Sequence, residues 1–346
     1  MEARSYLQWL AEESGTSWWH DSGDPRELES ALRHGAMGVT TNPVLCAQAV
    51  QSNRHAWRAE ILKALEHSGT PAARAEALTG IVVRAAARTL EGVHERTRGE
   101  QGYVCAQVDP GLVGQRDAMY AMARRFASWA PNIAVKLPAT SSGLDVMERC
   151  CADGIAVAMT MSFTVSQVYA VGSRYQELRR RLRGAKQVGR CFAVIMMGRL
   201  DDYLREVCSD KRDALSEEEI RMAGLCVVKR SYEIYRANGF DATLLAAALR
   251  GPHHLSGIAG GKLIASIHPS QQKAALEGSP AHAKRIDEPI PPKVVARLAA
   301  SPELRKAIYP DGIAVDEMVS YGLTQRTLAQ FSEAGWKLLA EWSDRA

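Results

Sequence analysis

Short apolar runs alternate with longer helical stretches between residues 17 and 267, and this rhythm constrains the fold more than any other property of the chain. The runs fall at 17–21, 37–41, 103–108, 133–137, 155–161, 190–197, 242–249 and 262–267. Their length and apolar content read as strands. Strands that alternate with helices pair in parallel through crossover helices. Eight such units predict an α/β fold of the (β/α)8 TIM-barrel type. An open doubly wound sheet is the competing architecture, but the glycine-rich dinucleotide fingerprint after the first strand is missing. The expected organisation is a single barrel domain over 1–346, with the barrel core at 15–270 and additional C-terminal helices in 271–346 packed on it. Those helices are expected at about 293–307 and 314–343, after the proline-rich connector 287–292, in a stretch too short for a core of its own.

The chain has 346 residues and a formal net charge of +4, too small to imply nucleic acid or a membrane surface as partner. Its seven cysteines show no CxxC spacing and mostly lie in apolar runs. That is the pattern of reduced, buried thiols in a cytosolic protein rather than of a zinc site or a disulfide scaffold. No apolar run reaches membrane-spanning length, and Met1–Ser5 lacks the apolar segment of a secretory signal. Arg174, Arg179, Arg180, Arg181, Arg183, Lys186 and Arg190 form a basic stretch that reads as a solvated helix face. His253 and His254 could touch a substrate phosphate, but as a loop pair they read as exposed.

In a barrel of this kind, reactive groups project from the C-terminal ends of the strands. Those ends here are Asp21, Asn42, Gln107, Lys136, Thr160, Arg199, Arg250 and His268. Taken singly, each has a structural explanation. Asp21 can cap a helix, Asn42 before Pro43 can make an Asx turn, and Gln107 and Thr160 can be satisfied core polars. Arg199 can pair with Asp201 or Asp202, and His268 before Pro269 reads as structural. Lys136 is different, because it sits inside the apolar run Ile133-Ala134-Val135-Lys136-Leu137-Pro138. A buried ammonium is costly unless paired, which favours the neutral amine, a nucleophile toward carbonyls. The alternative is a lysine that snorkels to solvent or meets a carboxylate. Together with the other strand ends, Lys136 points to a functional constellation.

Gly38-Val39-Thr40-Thr41-Asn42-Pro43 resembles the second-strand signature of transaldolases. Ile133 to Thr140, followed by Gly143-Leu144, is similar to their Schiff-base lysine motif. Gly154-Ile155 leading to Met159-Thr160-Met161-Ser162-Phe163 resembles the fifth-strand motif, and Gly198 to Asp202 and Ala246 to Arg250 resemble the phosphate-side strands. The resemblance covers about residues 16 to 260. It implies a cofactor-free and metal-free barrel, a homodimer in the longer forms, acting on a small-molecule sugar phosphate. It implies that Lys136 forms the Schiff base with a ketose and that Asp21 is the base for C3–C4 cleavage. Gln107 and Thr160 would hold a proton-shuttling water, Asn42 would bind donor hydroxyls, and Arg199 and Arg250 would clamp the phosphate.

Several positions depart from the pattern. Gln107 stands where long transaldolases carry Glu, and a Gln occurs there in the fructose-6-phosphate aldolase branch. Ala158 replaces an Asn, Val194 a small residue that is often Ser, and Ala248 a Ser that helps bind phosphate. Met196 takes the place of an aromatic ring. The losses at 158, 194 and 248 are each worth roughly 1–3 kcal/mol in a dry site, which implies a changed donor or acceptor. Three readings follow. The leading one is a transaldolase-like transferase moving a dihydroxyacetone-type unit to an aldehyde. The second is an aldolase that releases the fragment, and the third a non-catalytic sugar-phosphate-binding protein on the same scaffold.

Overall fold

The computed structural model describes residues 4–185, 187–211 and 215–343, leaving Met1 to Ala3, Lys186 of the basic stretch and the last three residues outside it. Seven strands form one parallel sheet: β1 (Ser17–His20), β2 (Val104–Gln107), β3 (Ile133–Pro138), β4 (Ala156–Thr160), β5 (Cys191–Met196), β6 (Thr243–Ala247) and β7 (Ile264–Ile267). Their spatial order is β1-β7-β6-β5-β4-β3-β2, which leaves β1 and β2 as the two ends. The expected strand at 37–41 is instead a single bridge residue. Val39 pairs in parallel with His20 of β1 and with Val104 of β2. The backbone follows on both sides: Thr40 N–H donates to His20 O (2.8 Å), and Cys105 N–H donates to Val39 O (2.9 Å). The ladder stops there because the Thr41 hydroxyl, not its N–H, donates to Cys105 O (2.7 Å). Pro43 then opens the next helix.

Parallel register fixes which side chains share a face. Gln107 is opposite Lys136, Lys136 opposite Ala158, and Ala158 opposite Phe192. Further round the same face Met196 is opposite Ala247, and Trp19 opposite Ser266. The N-terminal half of this inner face is filled by aromatic rings: Trp19 and Tyr103 meet Phe192 edge-on, with centroids 4.9 and 5.3 Å apart. The rings plug one end and leave the polar groups at the other.

Helix ends obey local chemistry. Asp24 caps Pro25–Arg33 by accepting Arg26 N–H, as its position before a proline implies. The sequence predicts a helical stretch over about 44–98 broken near Gly69-Thr70-Pro71, and the structure has three helices there, Pro43–Ser52, Arg58–His67 and Pro71–Arg96. The additional break comes at Asn53, whose buried amide donates to Asp24 Oδ2 (3.1 Å) and Ala49 O (3.0 Å). In the tail, Pro292–Ala300 and Pro302–Ile308 are separate helices, split at Ser301-Pro302. Lys229 is buried and donates to the carbonyls of Arg285, Ile286 and Glu288, which pins the connector before them. Helical segments from Gly322 to Ala340 then return over the C-terminal ends of the strands. Gly335 sits so close that a Cβ there would lie 2.5 Å from the carbonyl carbon of Pro43. Among the described residues, no helix is long and apolar enough to cross a membrane. All seven cysteines are buried.

His20 points away from the inner face and is completely buried, with Nδ1 2.9 Å from the Gln272 amide nitrogen. Burial pushes its pKa down from 6.5 to about 4, against the opposing charge of Asp21. The unfolded chain therefore binds a proton below pH 6.5 that the folded chain refuses until about pH 4. Stability falls as pH drops through that window, by at most about 3 kcal/mol from this group. Urea unfolding at pH 7 and pH 4.5 should show the loss, and His20→Gln should flatten it. An equal pH dependence in both proteins would remove His20 as its source.

Candidate active site

Lys136 lies on the inner face of β3 and is 6% exposed. Its Nζ donates to Thr41 O at 2.9 Å, and among the described residues it forms no ion pair. Neither snorkelling nor a carboxylate partner is therefore realised. Beside it, Gln107 is 2% exposed, and among the described residues neither its amide oxygen nor its amide nitrogen has a hydrogen-bond partner. A buried amide with both ends unmade is a costly feature for a core and a useful one for a site. The next strand presents Ala158 directly beside Lys136 and Thr160 one step further on, opposite Pro138. The Thr160 hydroxyl is buried, 3.6 Å from Met196 Sδ.

Asp21 follows the last residue of β1 and is half-buried. Thr40 donates its hydroxyl proton to Asp21 Oδ1 at 2.6 Å and also lies 2.6 Å from Ser266 Oγ. Thr40 has one proton, so Ser266 is the donor in the second bond, and the three groups form a directed chain ending on the carboxylate. Asn42 is half-buried and caps the helix Pro43–Ser52, with Oδ1 accepting from Val44 and Leu45 N–H. Its Asx-type role is thus real, and only its NH2 remains for another partner. His268 is exposed and caps Pro269–Gly278, a structural role.

The two arginines lie on the other side of the inner face. The pairing of Arg199 with Asp201 or Asp202 is not found. Arg199 donates to Gln330 Oε1 (2.5 Å) and packs over the Phe331 ring at 5.2 Å, both from the returning C-terminal segment. Asp202 instead holds Arg250 at 2.8 Å. Burial, and then the nearby charge of Arg250, pull the Arg199 pKa down to about 10. Arg250 also donates to Ala248 O (3.0 Å), and Ala248 has φ of +59°, a left-handed conformation that is unfavourable for a residue with a Cβ. The turn is that tight because Gly198 packs beneath it: a Cβ at 198 would lie 2.1 Å from Ala248 O.

Sequence reasoning missed the support beneath Arg250. His254 is fully buried, not exposed, and lies 2.8 Å from buried Asp201, while its Nδ1 accepts Arg250 N–H at 3.2 Å. Asp201 in turn accepts Gly224 N–H at 2.8 Å. Burial pushes the Asp201 pKa up, opposed by His254. Asp201, His253 and His254 together bring one ligand-type atom each within 4.8 Å of one another, the set closest to a metal site among the described residues. Both His254 nitrogens already face protein partners, so the set reads as a brace tying the Arg199 helix to the Arg250 loop.

Residues 18–342 match the family model described as Transaldolase/Fructose-6-phosphate aldolase. The chain belongs to that family. It is similar to a transaldolase of Neisseria meningitidis, 31% identical over 191 residues that cover 54% of each chain. It is also similar to a transaldolase of Kocuria rhizophila (28% over 239 residues, 64% of this chain and 63% of the relative). A transaldolase 1 of Streptomyces avermitilis is 29% identical over 264 residues, 71% of this chain and 68% of the relative. The match spans about half the length of the first of these curated relatives.

In this family member the segment after Lys136 leaves no room for a side chain at Gly143. Thr140 caps the helix Ser141–Ala152 by accepting Gly143 N–H, and a Cβ at 143 would lie 1.8 Å from Pro138 O. The clash is with backbone, so no rotamer relieves it. Gly143→Ala should cost about 3 kcal/mol or more, the upper end for an overpacked site. A urea midpoint unchanged from the parent would show that the strand end of β3 can shift.

Proposed function

We propose that this chain is a class I aldol enzyme that uses Lys136 as a Schiff-base nucleophile. In the leading reading it transfers a dihydroxyacetone-type unit from a ketose phosphate, or an analogue, to an aldehyde. The observation that carries the reading is a buried lysine without an ion pair, in register with a buried amide whose polar atoms are unmade. The neutral amine adds to the C2 carbonyl, and loss of water gives the iminium. Asp21, oriented by Thr40, removes the C4 hydroxyl proton. The C3–C4 bond breaks, its electron pair enters the iminium, and an aldehyde leaves while the three-carbon fragment stays as the enamine. An acceptor aldehyde then takes C3, its oxygen recovering a proton, and water hydrolyses the new iminium. Gln107 and Thr160 orient the water of carbinolamine formation and loss, Asn42 donates to substrate hydroxyls, and Arg199 and Arg250 hold the phosphate. No cofactor enters these steps.

Ala158, Val194 and Ala248 make this pocket less able to read hydroxyls, which supports an altered substrate in a specialised pathway. We also read the Val39 bridge as the eighth stave of a closed (β/α)8 barrel forming one domain, and the protein as a cytosolic homodimer. A second reading is an aldolase that releases the fragment, favoured by Gln107, which the resemblance places with the fructose-6-phosphate aldolase branch. Incubation with fructose 6-phosphate and borohydride, then peptide mapping, tests the nucleophile; product analysis with and without an acceptor aldehyde separates transfer from release. Failure to form an adduct with any ketose phosphate would favour a non-catalytic binding protein.

Gln107 gives a further test. Gln107→Glu should introduce an acidic ionisation into the pH–rate profile that the parent lacks, since a carboxylate beside Lys136 titrates and an amide does not. An unchanged profile would count against a water-orienting role at 107.

A further inference from the structure

The basic stretch is not one solvated face. Arg174 and Arg181 turn toward Asp145 and Glu148 and are neutralised there. Arg179, Arg180, Arg183 and Arg190 instead line a cavity of about 650 Å³, together with the carboxylates of Glu100 and Asp241. The cavity reaches Cys191 and Thr243, the first residues of β5 and β6, so it opens at the end of the sheet away from the candidate active site. With Glu177, which pairs with Arg180, four guanidinium groups face three carboxylates, leaving one positive charge in excess, on Arg183, in a concave site where the field is focused.

The pairs inside it are unequal. Arg190 holds Glu100 at 2.7 Å, and Arg180 grips Glu177 through both nitrogens at 2.8 and 2.9 Å. Arg179 meets Asp241 only at 3.3 Å, and among the described residues Arg183 makes no hydrogen bond or ion pair. Arg179 lies in the last turn of the helix Val165–Arg181 and Arg183 in the turn just beyond it, and both line the cavity. Two guanidinium forks are thus available without breaking a short ion pair.

We propose that this cavity is a second ligand site, which binds an organic phosphate monoester as its dianion through Arg179 and Arg183. A dianion can engage both guanidinium groups if Arg179 exchanges its longer pair with Asp241 for it, the fork geometry suits phosphate oxygens, and the volume lies within the range of small-molecule sites, larger than inorganic phosphate needs. The site is independent of the chemistry at Lys136.

Calorimetric titration of the Arg199→Ala/Arg250→Ala protein, at constant ionic strength, isolates it from the sheet's other end. One equivalent of glucose 6-phosphate is expected to bind saturably, at least ~10-fold more tightly than inorganic phosphate. Adding Arg183→Glu, or the milder Arg183→Gln, should weaken that binding ~10-fold or more with an unchanged circular dichroism spectrum. In the parent background Arg183→Gln should leave turnover intact. The proposal is overturned if no saturable binding occurs below about 10 mM, if neither Arg183 variant weakens it, or if inorganic phosphate binds as well as the monoester. Tighter binding of a short oligonucleotide than of the monoester would overturn it too.

Discussion

Lys136→Met is expected to lower turnover of any accepted ketose by on the order of 10⁴-fold or more, and to abolish borohydride trapping. The argument does not rest on burial alone, because the chain has a second buried lysine. Lys229 is equally enclosed, at 6% exposure, and burial lowers its pKa. Its ammonium is nevertheless occupied, since Arg285, Ile286 and Glu288 each present a carbonyl to it. Three acceptors for three protons favour the charged form and leave no lone pair to attack with. Lys136 has one such acceptor, Thr41 O, and shares its face with Gln107 and Ala158. Methionine keeps length and apolar bulk, so the stability cost should be confined to the orphaned Thr41 carbonyl, about 1–3 kcal/mol. Peptide mapping should place the adduct on Lys136 and none on Lys229, and Lys229→Met should leave trapping intact in whatever fraction folds. An adduct on Lys229, or trapping that survives Lys136→Met, would assign the chemistry elsewhere.

What the sequence made legible here is what periodicity and short-range chemistry can encode. The strand around Lys136 could be read because apolar residues flank it and Pro138 ends it. Asp24 could be read as a cap because a proline follows it. The segment at 37–41 has a strand's composition, yet whether it pairs over five residues or one depends on Thr41 spending its hydroxyl on Cys105 O, a contact between residues far apart in the chain. The same limit applies to the Asp201–His254 brace. Nothing near His254 in sequence indicates that a helix more than fifty residues earlier will bury it. Arg199 was read toward its neighbours, Asp201 and Asp202, but the C-terminal segment supplies Gln330 and Phe331. The side chains at the strand ends were therefore legible as candidates, whereas the partners that orient them were not.

Arg250→Ala should lower kcat/KM for a phosphorylated substrate by about 10- to 100-fold, the range for a lost charge-assisted hydrogen bond to phosphate, and leave a non-phosphorylated ketose unaffected. Burial, and then the nearby charge of Arg250, make Arg199 harder to charge, so its pKa falls to about 10. Under the proposed function, a phosphate dianion between Arg199 and Arg250 would relieve that repulsion. Without substrate, Asp202 does part of that work by holding Arg250, so Asp202 competes with the ligand. Asp202→Asn should therefore tighten phosphate binding while Arg250→Ala weakens it. The two changes also predict opposite shifts at alkaline pH. Arg199 is charged below its pKa, so phosphate binding in the parent should fall as pH rises through about 10. Removing Arg250 takes away a positive neighbour and should move that limb upward, and removing the charge of Asp202 should move it downward. A limb that stays in place in both variants would mean that Arg199 does not contact the phosphate, leaving Arg250 to carry the recognition alone.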